Sequence, residues 1–186
     1  LNLVLPGTAT IPASDNAKIR KAREAGAYAV ELVKAGRKPS ELITREVLMN
    51  AIMFDMAVAG STNAVLHLQS YAYELGIRVT LNDFEKYAAQ IPCINAVVPS
   101  GPYTVVDFHY AGGVMNVMKQ LESRLFTDAP GMYGVTWKEM LSKVTPQENK
   151  VIHSLEKPLF NEPGLKILRG NLSPGGAIVR PTAVYE

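Results

Sequence analysis

The sequence has few of the residues that build disulfides and metal sites, and it lacks a long apolar run. A single cysteine, Cys93, excludes an internal disulfide and offers no metal constellation by itself. The histidines, at positions 67, 109 and 153, lie far apart, and none has a second ligand at metal-binding spacing. No apolar stretch approaches the roughly 20 residues of a membrane-spanning helix. Leu1 to Leu5 also lacks the basic flank of a signal peptide, so we expect a cytoplasmic protein without a membrane segment.

Charge of one sign is also scarce. The 19 basic and 17 acidic residues leave a net charge of +2, which does not indicate a nucleic-acid-binding protein. The one dense basic cluster shares its predicted helix with Glu24 and Glu31 and has no interleaved aromatic residues for base stacking, so we interpret it as a solvated face. It comprises Lys18, Arg20, Lys21 and Arg23.

What is present is the composition of a globular protein rich in helices. Hydrophobic residues make up 47% of the chain, and a chain of this size can bury about 70% of its extended surface. Apolar residues recur at helical spacing between glycine, proline and capping residues. We predict helices over residues 15–35, 47–58, 62–75, 81–90, 105–111, 114–121 and 137–144, and strands over residues 77–79, 96–98, 165–168 and 177–179.

The most informative segment is Ala59–Leu68, in which a glycine and three hydrogen-bonding side chains precede an apolar helix. We expect Gly60 to take the left-handed conformation that ends the preceding helix, and Ser61 or Thr62 to cap the next one. The spacing alone leaves two interpretations open. Ser61, Thr62 and Asn63 either cap a buried helix, which is the commoner case, or present first-turn amides and hydroxyls to a carboxylate or phosphate.

The residue order in this segment resembles the Gly-Gly-Ser-Thr-Asn-Ala-Val-Leu-His-Leu signature of the dihydroxy-acid dehydratase and phosphogluconate dehydratase family. Four further stretches resemble segments of the same family in the same order, so the resemblance covers nearly the whole chain. They are Leu5–Ala13; Leu42–Glu46 with Asn50–Ile52; Val98–Gly101 with Asp107–His109 and Ala111–Val114; and Arg169–Leu172 with Gly176–Val179.

The resemblance implies a hydro-lyase that removes water from a small-molecule substrate, a 2,3-dihydroxy carboxylic acid or sugar acid, and yields a 2-keto acid. Members of the family use an iron–sulfur cluster and magnesium (Mg). The cluster iron acts on the leaving 3-hydroxyl, magnesium holds the carboxylate and the 2-hydroxyl, and a serine alkoxide removes the C2 proton. Members serve amino-acid biosynthesis or sugar-acid metabolism.

The resemblance also implies an α/β, helix-rich fold and a homo-oligomer, with a dimer as the expected form. Residues 1–144 would be the helix-rich part of an amino-terminal, three-layer α/β dehydratase domain. Residues 145–163, which are irregular and rich in proline, would be a connector. Residues 164–186 would begin a carboxy-terminal β-barrel domain.

The family's cluster cysteines, magnesium ligands and serine base have no counterpart in these residues, and the chain does not begin with methionine. We therefore expect an internal fragment that is inactive alone, with neither cluster nor magnesium bound. We assign no catalytic, cofactor-binding or metal-binding residue. Cys93, which lies among Ile91, Pro92 and Ile94, is interpreted as a buried inert thiol rather than a cluster ligand.

Five residues are candidates for a wall of the substrate pocket: Gly60, Ser61, Thr62, Asn63 and His67. His67 follows Asn63 by four residues on one helix face, so it either faces the loop or is a hydrogen-bonded core histidine. Asp55 either hydrogen-bonds this loop or has a surface or capping role. The pair Gly112–Gly113 is either a tight corner or a second place where backbone amides face a ligand.

An alternative from a different functional class also fits the residues. In this hypothesis the chain is a non-enzymatic helical interaction domain. Its motifs would then be scaffold, and its exposed apolar faces would form an oligomerisation surface.

Overall fold

The computed structural model describes residues 1–184, and within that range the chain forms eight α-helices and one β-hairpin. This confirms the helix-rich architecture and the hairpin near the carboxyl end. The helices are α1 (Asn16–Lys34), α2 (Pro39–Leu42), α3 (Arg45–Ala57), α4 (Thr62–Glu74), α5 (Leu81–Ala88), α6 (Val105–Tyr110), α7 (Gly113–Gln120) and α8 (Trp137–Leu141). The strands are β1 (Lys166–Gly170) and β2 (Ser173–Val179), and short 3₁₀ turns cover Glu122–Arg124, Met132–Gly134 and Pro181–Ala183.

Capping side chains set most helix starts, as the sequence predicts. The Thr104 backbone N–H donates to the Asp107 carboxylate at 2.8 Å, and the Asp107 N–H donates to the Thr104 hydroxyl at 3.2 Å. Similar boxes open α5 and α8. Helix α1 is capped by Asp15, whose carboxylate accepts the Ala17 N–H at 2.7 Å.

Helix α3 is the centre of the core. It contacts α4, α5 and α7, and most of its residues are buried. A second cluster joins α8 to the amino-terminal segment through Trp137, Leu141 and Leu5. The largest fully buried side chains of the main cluster are Leu48, Met49, Ile52, Met53, Met56, Phe84, Ile91, Ile94, Leu121, Ile152 and Leu165.

Helix α1 departs from the expected pattern. Its apolar stripe predicts a face packed on the core, yet no residue of this helix is buried. Val33 at the carboxyl end is 79% exposed, and Ile19 and Val30 are also more than half exposed. One contact between α1 and the rest of the protein is made by Tyr28, whose hydroxyl accepts the Tyr133 N–H at 2.8 Å.

Two of the four predicted strands do not form. Residues 77–79 pair with no strand, and of residues 96–98 only Val97 makes an isolated bridge, with Tyr103. Three residues are too few to hold a ladder without a neighbouring strand. The hairpin is confirmed, with Lys166 opposite Val179, Leu168 opposite Ala177, and an irregularity before Gly170.

The predicted connector packs against the core. Backbone hydrogen bonds tie His153 to Ile94 at 2.8 Å and Phe160 to Cys93 at 3.1 Å. Ile152 of the connector is fully buried in the main cluster, as is Leu165, which follows the connector. These contacts bring the segment beside the carboxyl end of α3, where the signature residues begin. The division into units at 1–144, 145–163 and 164–186 stays a prediction.

Candidate functional site

The signature loop, residues 59–63, joins the carboxyl end of α3 to the amino end of α4. Its last residues begin α4 as expected, because the Ser61 hydroxyl accepts the Asn63 N–H at 3.2 Å. Ser61, Thr62 and Asn63 all have exposed side chains. The helix therefore starts at the surface, with hydroxyl and amide groups around the positive end of its dipole.

The turn at the end of α3 forms at a different residue from the one predicted. Ala59 has the left-handed backbone, with φ of 49°, whereas Gly60 has no positive φ. The prediction that Gly60 ends the helix in this conformation was therefore wrong. The Gly60 N–H donates to the Asp55 carbonyl at 3.0 Å, the six-residue closure of a Schellman turn, in which Ala59 holds the left-handed position.

Gly60 is required for space. A Cβ atom on residue 60 would overlap Oδ1 of Asp55, and it would lie 3.0 Å from the Asp55 Cγ. Asp55 precedes Gly60 by one and a half helical turns, so its side chain folds back under the loop. Asp55 is buried, so the surface position was wrong. Its carboxylate packs against Gly60, and the predicted hydrogen bond from this side chain to the loop is not found within residues 1–184.

Partners distant in sequence satisfy the last carbonyl groups of α3. Helix ends leave such groups without intrahelical donors. The Met56 carbonyl accepts the Gly164 N–H at 2.8 Å, and the Ala57 carbonyl accepts the Ile94 N–H at 2.8 Å. The Val58 carbonyl accepts the Asn95 side-chain amide at 3.3 Å. The signature loop is thus held by segments near residues 94 and 164.

A further partner holds Gly60 itself. The Arg180 guanidinium, which follows β2, donates through Nη2 to the Gly60 carbonyl oxygen. Asp55 is 7% exposed, and its Oδ2 makes no hydrogen bond within residues 1–184. Burial raises the pKa of the Asp55 carboxyl to about 7, and the positive charge of Arg180 opposes part of this rise.

The family model described as "Dihydroxy-acid/6-phosphogluconate dehydratase N-terminal" matches residues 1–140. This chain belongs to the dihydroxy-acid/6-phosphogluconate dehydratase family.

Curated relatives agree with this assignment. A dihydroxy-acid dehydratase of Methanosarcina barkeri is 42% identical over 188 residues, covering 99% of this chain and 34% of the relative. Those of Methanoregula boonei and Thermodesulfovibrio yellowstonii are 40% and 39% identical, each covering 99% of this chain and 33% of the relative. The chain spans about one third of the length of these relatives.

His67 lies on the surface of α4 in this dehydratase-family chain. The interpretation as a core histidine was therefore wrong, whereas its candidacy as a pocket residue stays a prediction. The hydrogen bond from the Asn63 N–H to the Ser61 hydroxyl is the one side-chain hydrogen bond that joins two of the five candidates within residues 1–184. They share the amino end and one side of a single helix without forming a closed site.

The chain's own residues do not fit the family's metal groups. Iron–sulfur clusters are held by several cysteine thiolates, and Cys93 is the only thiol. Cys93 is 1% exposed, and burial raises the pKa of its thiol, which disfavours the thiolate that a metal needs. Residues 1–184 hold no group of three or more His, Cys, Asp or Glu side chains that could bind a metal ion. Along the same residues, no helix is long and apolar enough to cross a membrane.

The glycine pair of this family forms a tight corner between α6 and α7. Gly112 and Gly113 both have positive φ, at 98° and 55°. The Asn116 side chain lies behind the corner and donates to the Ala111 carbonyl at 2.9 Å. His109, just before the corner, is within 3.1 Å of the Thr10 hydroxyl, so this contact joins two of the family-like segments.

Sequence reasoning missed Arg180 and Asn95. Both contact the turn from segments that no helical or strand periodicity connects to residue 60. Asn95 could have been noticed as a polar residue in an otherwise apolar run from Ile94 to Val98. No local signal points to Arg180.

Proposed function

We propose that this chain is part of a hydro-lyase that dehydrates a 2,3-dihydroxy carboxylic acid or sugar acid to a 2-keto acid. In this reaction the C2 proton and the C3 hydroxyl leave as water, and the resulting enol tautomerises to the keto acid. Family membership and 42% identity to a named dihydroxy-acid dehydratase support the proposal. The chain would contribute one wall of the substrate pocket.

The observation that carries this role is the braced signature loop at the amino end of α4. The positive end of the helix dipole and the exposed Ser61 and Thr62 hydroxyls suit a carboxylate. The Asn63 amide adds a further donor at the same place. The chain's residues would bind and orient the acid, while the groups that activate the hydroxyl and take the proton would come from outside these residues. Alone, the chain would form no keto acid.

The exposed hairpin is evidence for a larger sheet in the whole protein. An isolated two-stranded hairpin is marginally stable in water. Leu172 at its tip is 98% exposed, and Leu168 in β1 is 50% exposed. We propose that β1 and β2 begin a β-barrel, and that helices α1 to α8 belong to a three-layer α/β domain.

A chimera tests the function. Residues 1–184 would replace the matching third of the Methanosarcina barkeri relative, and 2-keto acid formation would be measured with a panel of dihydroxy and sugar acids. We expect kcat/KM within about tenfold of the parent for at least one acid. A chimera that is folded and contains the parent's iron, sulfide and magnesium, yet turns over none of the acids, would contradict the proposal.

A second candidate function rests on α1. A 19-residue helix with no buried residue and an apolar stripe suits a non-catalytic interaction domain that forms homo-oligomers. Light scattering on the chain alone separates the two proposals. If Val33→Lys converts an oligomer to a monomer while the chimera stays inactive, the interaction domain is favoured; a monomeric wild-type chain excludes it.

A further inference from the structure

The contact between Arg180 and Gly60 joins the carboxyl side of the hairpin to the signature loop across 120 residues. Arg180 is partly buried, and its Nε makes no hydrogen bond within residues 1–184. The guanidinium is therefore committed to the loop mainly through Nη2. A charged donor to a carbonyl is among the stronger hydrogen bonds in proteins.

The segment that carries Arg180 is itself anchored. Thr182, two residues later, is within 3.1 Å of the Ser100 hydroxyl. Ser100 is 8% exposed and belongs to a compact turn, in which a Cβ on Gly101 would overlap the backbone of Ala96. The segment that carries Arg180 is therefore held in place where Arg180 contacts the loop.

Asp55 contacts Gly60 from another direction. Its carboxylate lies against the Cα of Gly60, while the guanidinium binds the carbonyl of the same residue. The carboxylate and guanidinium form no ion pair within 4.0 Å among the described residues, although the charge of Arg180 acts on Asp55. Two side chains of opposite charge thus contact the Gly60 backbone from different directions.

Because of peptide geometry, the contact from Arg180 also orients the N–H of Ser61. The C=O of Gly60 and the N–H of Ser61 belong to one planar trans unit and point in opposite directions. When Arg180 fixes the carbonyl, it also fixes the direction of the Ser61 N–H. Within residues 1–184 that N–H donates to no protein acceptor. It lies beside the exposed hydroxyls of Ser61 and Thr62.

We propose that Arg180 is a positioning residue, which orients the Gly60–Ser61 peptide so that the Ser61 N–H donates to the carboxylate of the bound acid. The inference rests on the proposed function for the identity of the ligand. Its structural half, the control of the peptide by Arg180, is independent of turnover.

The structural half is tested in the chain alone. Amide hydrogen exchange at Ser61 and Gly60 would be measured by NMR in wild type, Arg180→Gln and Arg180→Lys. Arg169→Gln is the matched control, because Arg169 lies in β1 of the hairpin that precedes Arg180 but donates to Asn82 of α5 at 2.7 Å. We expect exchange at Gly60, whose N–H donates to the Asp55 carbonyl at 3.0 Å, to rise at least about tenfold in Arg180→Gln, to rise less in Arg180→Lys, and to stay unchanged in the control. The Ser61 N–H, which donates to no protein acceptor within residues 1–184, is the unprotected reference. Equal exchange in Arg180→Gln and Arg169→Gln overturns the inference.

The ligand half is tested in the active chimera. Arg180→Gln is expected to raise KM at least about tenfold with kcat within about threefold, and Arg180→Lys to restore part of the affinity. Faster exchange without a change in KM overturns the positioning role. An inactive parent chimera contradicts the proposed function and leaves the exchange result to decide the structural half. If Arg180→Gln unfolds the chain, the comparison of Arg180→Lys with wild type decides the same question.

Discussion

The Asp55 carboxylate occupies the space beside Gly60 that a side chain at residue 60 would need. Gly60 does not have the left-handed backbone that usually explains a glycine at a helix end. The glycine is needed for close approach, and the left-handed position belongs to Ala59. The two residues therefore respond differently to substitution.

Gly60→Ala is expected to destabilise the chain by about 1–3 kcal/mol, because its Cβ would overlap Asp55 and force the buried carboxylate to move. The free energy of unfolding in urea measures this. Gly26→Ala is the control, since Gly26 lies within α1 and a Cβ there meets no atom within 4 Å. Equal stability of Gly60→Ala and wild type would show that the Asp55 side chain can move away from residue 60 without a loss of stability.

Ala59→Gly is expected to stabilise the chain by about 0.5–1 kcal/mol, because Ala59 has a φ of 49° and an L-residue pays for this conformation. The lost methyl contact with Gly164 keeps the gain small. Ala57→Gly, two residues earlier in helical conformation, should destabilise by about 1 kcal/mol. A loss of stability in Ala59→Gly would mean that the methyl packing outweighs the backbone strain.

Asp55→Asn is expected to change how stability depends on pH. Burial raises the pKa of Asp55 from 3.8 to about 7, so between these values the unfolded chain loses a proton that the folded chain keeps. The free energy of unfolding of wild type should therefore fall, relative to Asp55→Asn, as pH rises from about 4 to 7, by up to about 4 kcal/mol. Urea unfolding of both proteins at several pH values measures the difference. Parallel curves would place the carboxyl in water.

Helix α1 is expected to open independently of the core. None of its residues is buried, whereas α3 is mostly buried. Amide exchange followed by mass spectrometry should be at least about 100-fold faster in residues 16–34 than in residues 45–57. Tyr28→Phe, which removes the acceptor for the Tyr133 N–H, should increase the difference. Equal protection of both segments would indicate that another copy of the chain covers α1.

Hydrogen bonds between residues close in sequence could be predicted from the sequence, whereas those between distant residues could not. Capping boxes at Thr104 and Thr136 involve residues three positions apart, so both partners stand in the same short window. The donors to the end of α3 and to the signature loop come from Ile94, Gly164 and Arg180, and only the tertiary fold brings these together. The same limit explains α1, because an apolar stripe predicts a buried face without saying whether this chain supplies the covering surface.

The candidate site shows both outcomes within five residues. Ser61 as the cap of α4 followed from residue type and position. The left-handed backbone of Ala59 could not be predicted in this way, because glycine, here Gly60, is ordinarily the residue that takes this conformation. The deciding factor is the side chain of Asp55 beneath the loop, which claims the space at residue 60.

The separation of Gly60 from Arg180 also bears on the order in which the protein becomes finished during translation. A ribosome adding about 5–20 residues per second places Arg180 roughly 6–24 s after Gly60. Helices α3 and α4 are therefore made before the guanidinium that binds the peptide between them. Ile152 and Leu165, which are fully buried in the main cluster, also follow Gly60, so both the core and the signature loop depend on residues that are synthesised well after α3 and α4.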